Sequence, residues 1–245
     1  MTDTFELDLG LPIIPAEVAK VAEPPYSSSL EDVHTWGIMT RERVIFLEST
    51  AYSEEGGDLG IGHATAQRFL KNLAILESLS SDPIVIILNS IGGCVSNGFA
   101  MYDAITQCQS PTIIKVYGNC MSMGTVLLQA GDSRILSEHC SVMMHHGVGE
   151  FAGGANMFEV VNAAQFGMEI GDKADRICLK AINTHRVTSG LSEMGYEEFQ
   201  TMNLRGRYMH PEEAVALGLA DYIFDKDTES SIIDNSLPED ISPSI

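Results

Sequence analysis

Short apolar runs alternate with longer amphipathic segments through the middle of the chain, and this alternation is the strongest constraint on its fold. The runs "PIVIILNS" (83–90) and "TIIKVYG" (112–118) are continuously apolar, as expected of strands buried on both faces. Segments with helical spacing lie before, between and after these runs, at 60–81, 97–108 and 156–185 respectively. Repeated β-then-α units predict an α/β fold with helices packed on a mostly parallel sheet.

The two ends of the chain differ from this middle part. Residues 1–30 contain several prolines and little periodicity, which predicts an extended acidic arm. Residues 226–245 have the composition of a disordered acidic tail. We therefore expect one folded domain at 31–225, a length that a single core can support.

Composition excludes several classes of function. The formal net charge of −20 argues against nucleic acid and anionic membrane surfaces as partners, since both require a basic footprint. No apolar run is long enough to span a bilayer, and the acidic N-terminus lacks the basic region of a secretory signal, so we expect a cytoplasmic protein. Five dispersed cysteines without a C-x-x-C pair argue against disulfides and zinc.

Ser122 lies at a predicted strand-to-helix junction, within "VYGNCMSMGTVLLQAG" (116–131). One interpretation is a serine that caps the following helix. The other is a nucleophile, because the free N–H groups of the first helical turn, including that of Met123, would stabilise an oxyanion beside it. This stretch alone favours the cap.

Two other short motifs follow predicted strands. The paired Gly92 and Gly93 allow a tight turn or a close approach of backbone to a ligand, and an N–H there would serve as a second oxyanion donor. "VMMHH" ends in His145 and His146, which strand alternation directs to opposite faces, so at most one of them would meet Ser122 as a general base. No carboxylate, cysteine or third histidine stands at a supporting spacing nearby, and we predict no metal.

Taken together and in order, these segments resemble the family of the proteolytic subunit of the Clp protease (ClpP), from about residue 38 to residue 224. "ILNSIGGCVSNGFAMYDAI" resembles "INSPGG…G…IYD", with Ile91 where proline is usual, and "GNCMSMGTVLLQAG" resembles "GxAASMGxxLLxAG". "VMMHH" resembles "VMIHQ", and "HPEEAVALGLAD" resembles the family's last helix. The resemblance implies the ClpP/crotonase-like superhelix of repeated ββα units with a protruding handle helix, here "GEFAGGANMF" (149–158) and the helix after it.

The resemblance also implies roles for individual residues. Ser122 matches the nucleophile and His145 the general base, while His146 stands where glutamine is usual. The backbone N–H groups of Gly93 and Met123 match the oxyanion hole. No cofactor is implied.

The family's third triad member is an aspartate, and the residue that matches it here is Gly206. The chain is also longer than usual before this point, so a shifted loop could deliver Asn203, or a glutamate from 197–198, to the histidine. An asparagine can hold a histidine tautomer, and Asn203 is therefore the candidate third member.

By resemblance, we expect a serine endopeptidase subunit that stacks with copies of itself as heptameric rings. A hexameric AAA+ unfoldase would supply unfolded protein substrates and would hold the ATP, because this chain has no G-x-x-x-x-G-K-[ST] motif.

Three alternatives stay open: a weak or inactive ring subunit, a viral capsid-maturation protease and a crotonase-type acyl-CoA enzyme. The Ser122/His145 pair and the charge of −20 argue against the acyl-CoA enzyme, since that chemistry needs no serine and its cofactor is a polyanion.

Overall fold

The computed structural model describes residues 29–49, 60–147 and 156–224. The predicted N-terminal arm, except for its last two residues, and the predicted C-terminal tail lie outside the described residues, as does most of 149–158.

The strands form one mixed sheet in which most neighbours are parallel. The strand bounds are β1 Ile38–Met39, β2 Val44–Ser49, β3 Ile84–Ser90, β4 Thr112–Met121, β5 Ser133–Leu136, β6 Ser141–Met144, β7 Arg207–Met209 and β8 Tyr222–Ile223. The order in the sheet is β1-β2-β3-β4-β5-β8. Strand β6 pairs with β4, β7 pairs antiparallel to β6, and β1 and β2 are also antiparallel.

Six α-helices occur among the described residues, preceded by a short π-helical turn at Asp32–Trp36. They are α1 His63–Leu79, α2 Val95–Gln107, α3 Met123–Leu128, α4 Met157–Thr188, α5 Tyr196–Asn203 and α6 Pro211–Leu217. The predicted α/β fold with a mostly parallel sheet is confirmed. The sequence patterns did not predict α5, β7 or β8, because these elements are short and lack a clear period.

The central strands are not buried equally on both faces, which corrects the expectation from their continuous apolar runs. Along β3, fully buried residues such as Ile84, Ile86 and Leu88 alternate with half-buried ones. The fully buried side chains belong to one core with apolar residues of α1, α2 and α3. Helices therefore cover one face of these strands completely and the described residues leave the other face partly open.

Strand β4 is paired differently along its length, and this feature creates the site. Its first half pairs with β5, whereas residues 119–121 pair in parallel with 141–143 of β6. Because parallel strands end at the same sheet edge, the residues that follow Met121 and Met144 emerge side by side. The end of β3 lies there too, with Ser90 opposite Cys120.

Helix α4 has two distinct halves. An asparagine capping box, formed by Asn156 and Glu159, begins it. Its buried residues occur only from Gly171 onward, whereas the first half carries large exposed side chains such as Phe158 and Phe166. None of the helices in the described part of the chain is both long and apolar enough to cross a membrane.

Candidate active site

Ser122 has an unusual backbone conformation at the junction between β4 and α3. Its φ of 52° and ψ of −120° lie in a region that L-residues rarely adopt, and among the described non-glycine residues only Arg43 shares a positive φ. Its N–H donates to Met143 O at 2.8 Å, which ties the junction to β6. Strained conformations of this kind persist where surrounding structure enforces them, often at functional sites.

The side chain of Ser122 contacts His145 instead of capping α3. Ser122 Oγ lies 2.6 Å from His145 Nε2, and the serine makes no capping bond within the described part of the chain. The cap interpretation is therefore wrong. Ser122 follows the end of β4 and His145 follows the end of β6, so parallel pairing of the two strands brings together residues that are 23 positions apart.

Burial of the His145 ring lowers its pKa below the ordinary value of 6.5. The charge of Asp175 opposes this effect, and the neighbouring His146 adds to it. The ring is consequently neutral at physiological pH, and a neutral Nε2 is able to accept the serine proton.

The paired glycines pack directly against the serine. Gly92 has a φ of +94°, and a Cβ there would lie 2.6 Å from Ser122 Cβ and 3.0 Å from Met123 N. Gly93 has a φ of +149°, and a Cβ added there would overlap the backbone of Ile61. Ile61 N donates to Gly92 O at 2.7 Å and Cys94 N donates to Ile61 O at 2.9 Å, so this loop is fixed beside the serine. Only glycine allows such an approach.

A small cavity of about 40 Å³ opens beside the Ser122–His145 pair. Val126, Met144, Asp175, Cys178 and Asn203 are among the residues that line it. Burial raises the pKa of the Cys178 thiol to about 12, so this thiol stays protonated and is a poor nucleophile.

Asn203, the candidate third member, lies in the wall of this cavity and is 1% exposed. Its Oδ1 is buried without a hydrogen-bond partner among the described residues. Glu197 and Glu198 do not line the cavity; they lie at the start of α5 with exposed side chains. The longer segment before β7 therefore brings the asparagine, and not the glutamates, to the wall of the cavity that His145 also lines.

Gly206 lies next to His145. It has a φ of +76°, and a Cβ at this position would lie 3.8 Å from His145 Cβ. The residue that matches the usual aspartate thus lies next to the histidine, but it has no side chain.

A second group of polar residues lies behind the histidine pair, and sequence reasoning missed it. His146 Nδ1 lies 2.8 Å from Asp175 Oδ2, and Asp175 is 4% exposed. Tyr196 OH donates to Asp172 Oδ1 at 2.6 Å and lies 3.5 Å from Asp175 Oδ2. These aspartates are distant from the histidines in sequence, because they come from α4, and Asp175 lies 29 positions after His146. Two aspartates three residues apart on one helix were the available signal.

His146, Asp172 and Asp175 are also side chains that can bind metal ions. One potential ligand atom from each lies within 4.8 Å of the other two. These atoms already make hydrogen bonds within the group or to Tyr196, which explains their clustering, and we assign no metal to them.

The sequence is similar to proteins of the Clp protease family. A family model described as "Clp protease" matches residues 29–227. The chain is 25% identical over 212 residues to the ATP-dependent Clp protease proteolytic subunit 3, chloroplastic, of Arabidopsis thaliana, covering 85% of this chain and 62% of that protein.

Two bacterial relatives align over most of their own length. Proteins named ATP-dependent Clp protease proteolytic subunit 1 are 30% identical in Prochlorococcus marinus strain MIT 9312 and 31% identical in subspecies pastoris. Each alignment covers 77% of this chain, together with 87% and 86% of the respective relatives.

Proposed function

This chain belongs to the Clp protease family, and on that premise we propose that it is a serine endopeptidase subunit in which Ser122 is the nucleophile. The observation that carries the proposal is the 2.6 Å distance between Ser122 Oγ and His145 Nε2 at a strained strand-to-helix junction. A hydroxyl becomes a useful nucleophile when an adjacent base accepts its proton, and this distance is that of a short hydrogen bond.

In the proposed first step, Ser122 Oγ attacks the carbonyl carbon of a peptide bond while its proton passes to His145 Nε2. Collapse of the tetrahedral intermediate breaks the C–N bond, and the same proton passes to the leaving amine. Water then attacks the acyl-enzyme with His145 again as base, which releases the acid product and restores the serine.

The oxyanion of each intermediate would be held by the N–H groups of Met123 and Gly93. Met123 is the first residue of α3, where N–H groups have no intrahelical partner. The close packing of Gly92 on Ser122 supports this role for Gly93, since it holds the loop beside the nucleophile. Preorganised donors of this kind contribute much of the rate enhancement in acyl transfer.

Asn203 is our candidate for the residue that orients His145. A buried amide oxygen without a partner is costly to the fold, so its retention beside a catalytic histidine favours a functional role. Oδ1 makes no hydrogen bond among the described residues, so in this role it would turn to accept from His145 Nδ1–H. That tautomer leaves Nε2 free to accept the serine proton.

We further propose that the subunit assembles with copies of itself into stacked heptameric rings that receive unfolded protein from an AAA+ unfoldase. The exposed apolar side chains on the first half of α4, including Met157, Phe158 and Phe166, support assembly, because contiguous apolar surface of this kind is typically covered by a partner. The name of the Arabidopsis relative gives a chloroplast location for that protein, and the cytoplasmic location of this chain stays a prediction.

Labelling with a fluorophosphonate probe tests the proposed function directly. We expect labelling of the purified chain at pH 7.5 and none of the Ser122→Ala variant. Ser78→Ala is a suitable control, since Ser78 is an exposed serine on α1 whose hydroxyl donates to Ile75 O of its own helix. A correctly assembled chain that does not react with the probe would instead support the inactive-subunit alternative.

A further inference from the structure

We propose that Asp175 is a positioning residue for His145, acting from α4 through its hydrogen bond to His146. In this role it supplies the support that the usual aspartate would give from position 206. The inference rests on the proposed function of Ser122 and His145 and extends it to a carboxylate outside the family's motif.

The first line of support is the anchoring of the His145 loop on α4. His146 Nδ1 lies 2.8 Å from Asp175 Oδ2, and since an ionised carboxylate only accepts, Nδ1 carries the proton. The His146 ring also packs over Gly171, where an added Cβ would lie 3.5 Å from its Cε1 and 3.9 Å from Gly147 N. The residues on the C-terminal side of His145 are therefore fixed to one turn of α4, which restricts the backbone of His145 itself.

The second line of support is that Asp175 is itself held in place. Asp175 is 4% exposed. Tyr196 OH donates to Asp172 Oδ1 at 2.6 Å and lies 3.5 Å from Asp175 Oδ2, between the two carboxylates. Burial and the bond to Asp172 raise the pKa of Tyr196, so its hydroxyl remains a donor. A buried carboxylate that accepts from His146 and lies beside the Tyr196 hydroxyl is a more rigid anchor than the exposed acids elsewhere on the surface.

The third line of support is electrostatic. Asp175 lines the same cavity as Ser122 and His145, and its charge opposes the lowering of the His145 pKa by burial. His146 acts in the opposite direction. The protonated Cys178 of α4 also lines the cavity, and Arg207 of β7 pairs with Met144 of β6, the residue before His145. Asp175 is thus the group that favours the imidazolium formed when His145 takes the serine proton.

The test measures the fluorophosphonate labelling rate of Ser122 from pH 5 to pH 9 in the full chain. Asp175→Asn retains a hydrogen-bond acceptor and removes the charge, while His146→Ala removes the bond and His146→Gln retains a donor. Glu169→Gln is the matched control, because it makes the same change of charge on an exposed position of α4.

We expect Asp175→Asn to lower the labelling rate at its plateau by roughly 10- to 100-fold, the range found when a partner that orients a functional histidine is lost. The acid limb of its pH–rate profile, where protonation of His145 lowers the labelling rate, should also move to lower pH, since the imidazolium loses a stabilising charge. His146→Ala should lower the plateau similarly, His146→Gln should restore most of the rate, and Glu169→Gln should match the unmodified chain. In the double variant His146→Ala/Asp175→Asn, the fold-loss of labelling rate should be smaller than the product of the two single losses, because both substitutions remove the same contact.

Wild-type rates and an unmoved acid limb in both Asp175→Asn and His146→Ala would overturn this inference while leaving the proposed function intact. Absence of labelling in the unmodified chain would overturn the proposed function, and the inference with it. A loss of stability alone would lower the amount of labelled protein but would not move the acid limb, so thermal unfolding of each variant separates the two effects.

Discussion

Gly206 lies beside His145 so closely that a Cβ at residue 206 would be 3.8 Å from the histidine Cβ. We therefore expect a side chain at residue 206 to lie close to the histidine. An aspartate introduced at residue 206 would therefore test how much a third triad member adds to the labelling rate of Ser122.

Gly206→Asp is expected to increase the labelling rate of Ser122, by roughly tenfold or more, because a carboxylate there would accept from His145 Nδ1 and stabilise the imidazolium. The φ of +76° makes any side chain costly, by about 1 kcal/mol of unfolding free energy. Gly206→Ala is the control, since it has the same backbone strain without the charge. Equal rates for the two variants would show that this position no longer serves the histidine.

The acid side of the pH profile should reflect the environment of His145. Because burial lowers its pKa from 6.5, the neutral base persists below that pH, and the labelling rate should fall only below it. The measurement is the observed rate constant in buffers of constant ionic strength. A midpoint above pH 6.5 would contradict the assignment of His145, as placed here, as the base.

Asn203→Leu should separate stability from activity. Leucine has a similar size and removes a buried oxygen without a partner, so the free energy of unfolding should rise by about 1 kcal/mol. If Asn203 holds the His145 tautomer, the labelling rate should fall at the same time. Denaturant unfolding and labelling of the same preparation measure both quantities, and a stabilised variant with unchanged labelling would remove Asn203 from the mechanism.

Gly92→Ala should abolish labelling without unfolding the domain. Its Cβ would lie 2.6 Å from Ser122 Cβ, so the serine must move, and the positive φ adds strain. Gly190→Ala is a matched control, because it has a φ of +74° but open space around the added atom. Retained labelling in Gly92→Ala would mean that the loop can shift without disturbing the nucleophile.

The sequence predicted the α/β class and the long elements because each has a local cause. The helical periodicity of 60–81 corresponds to α1, and the apolar run at 83–90 corresponds to β3. The pairing of Ser122 with His145 was implied by the family resemblance, and the structure brings their side chains within 2.6 Å of each other. Short elements such as β7 form because they pair with a distant strand, here β6, and such pairing leaves no local pattern in the sequence.

The sequence by itself determined which residues could react: a serine at a strand-to-helix junction, a histidine after a strand and two glycines in a tight turn. Tertiary structure alone decided what surrounds them. It placed Asn203 and not the neighbouring glutamates in the cavity, and it brought Asp175 to His146 across 29 positions. The reason is physical: a motif's backbone geometry is set by nearby residues, whereas the charge and the hydrogen bonds around a side chain depend on how distant elements pack.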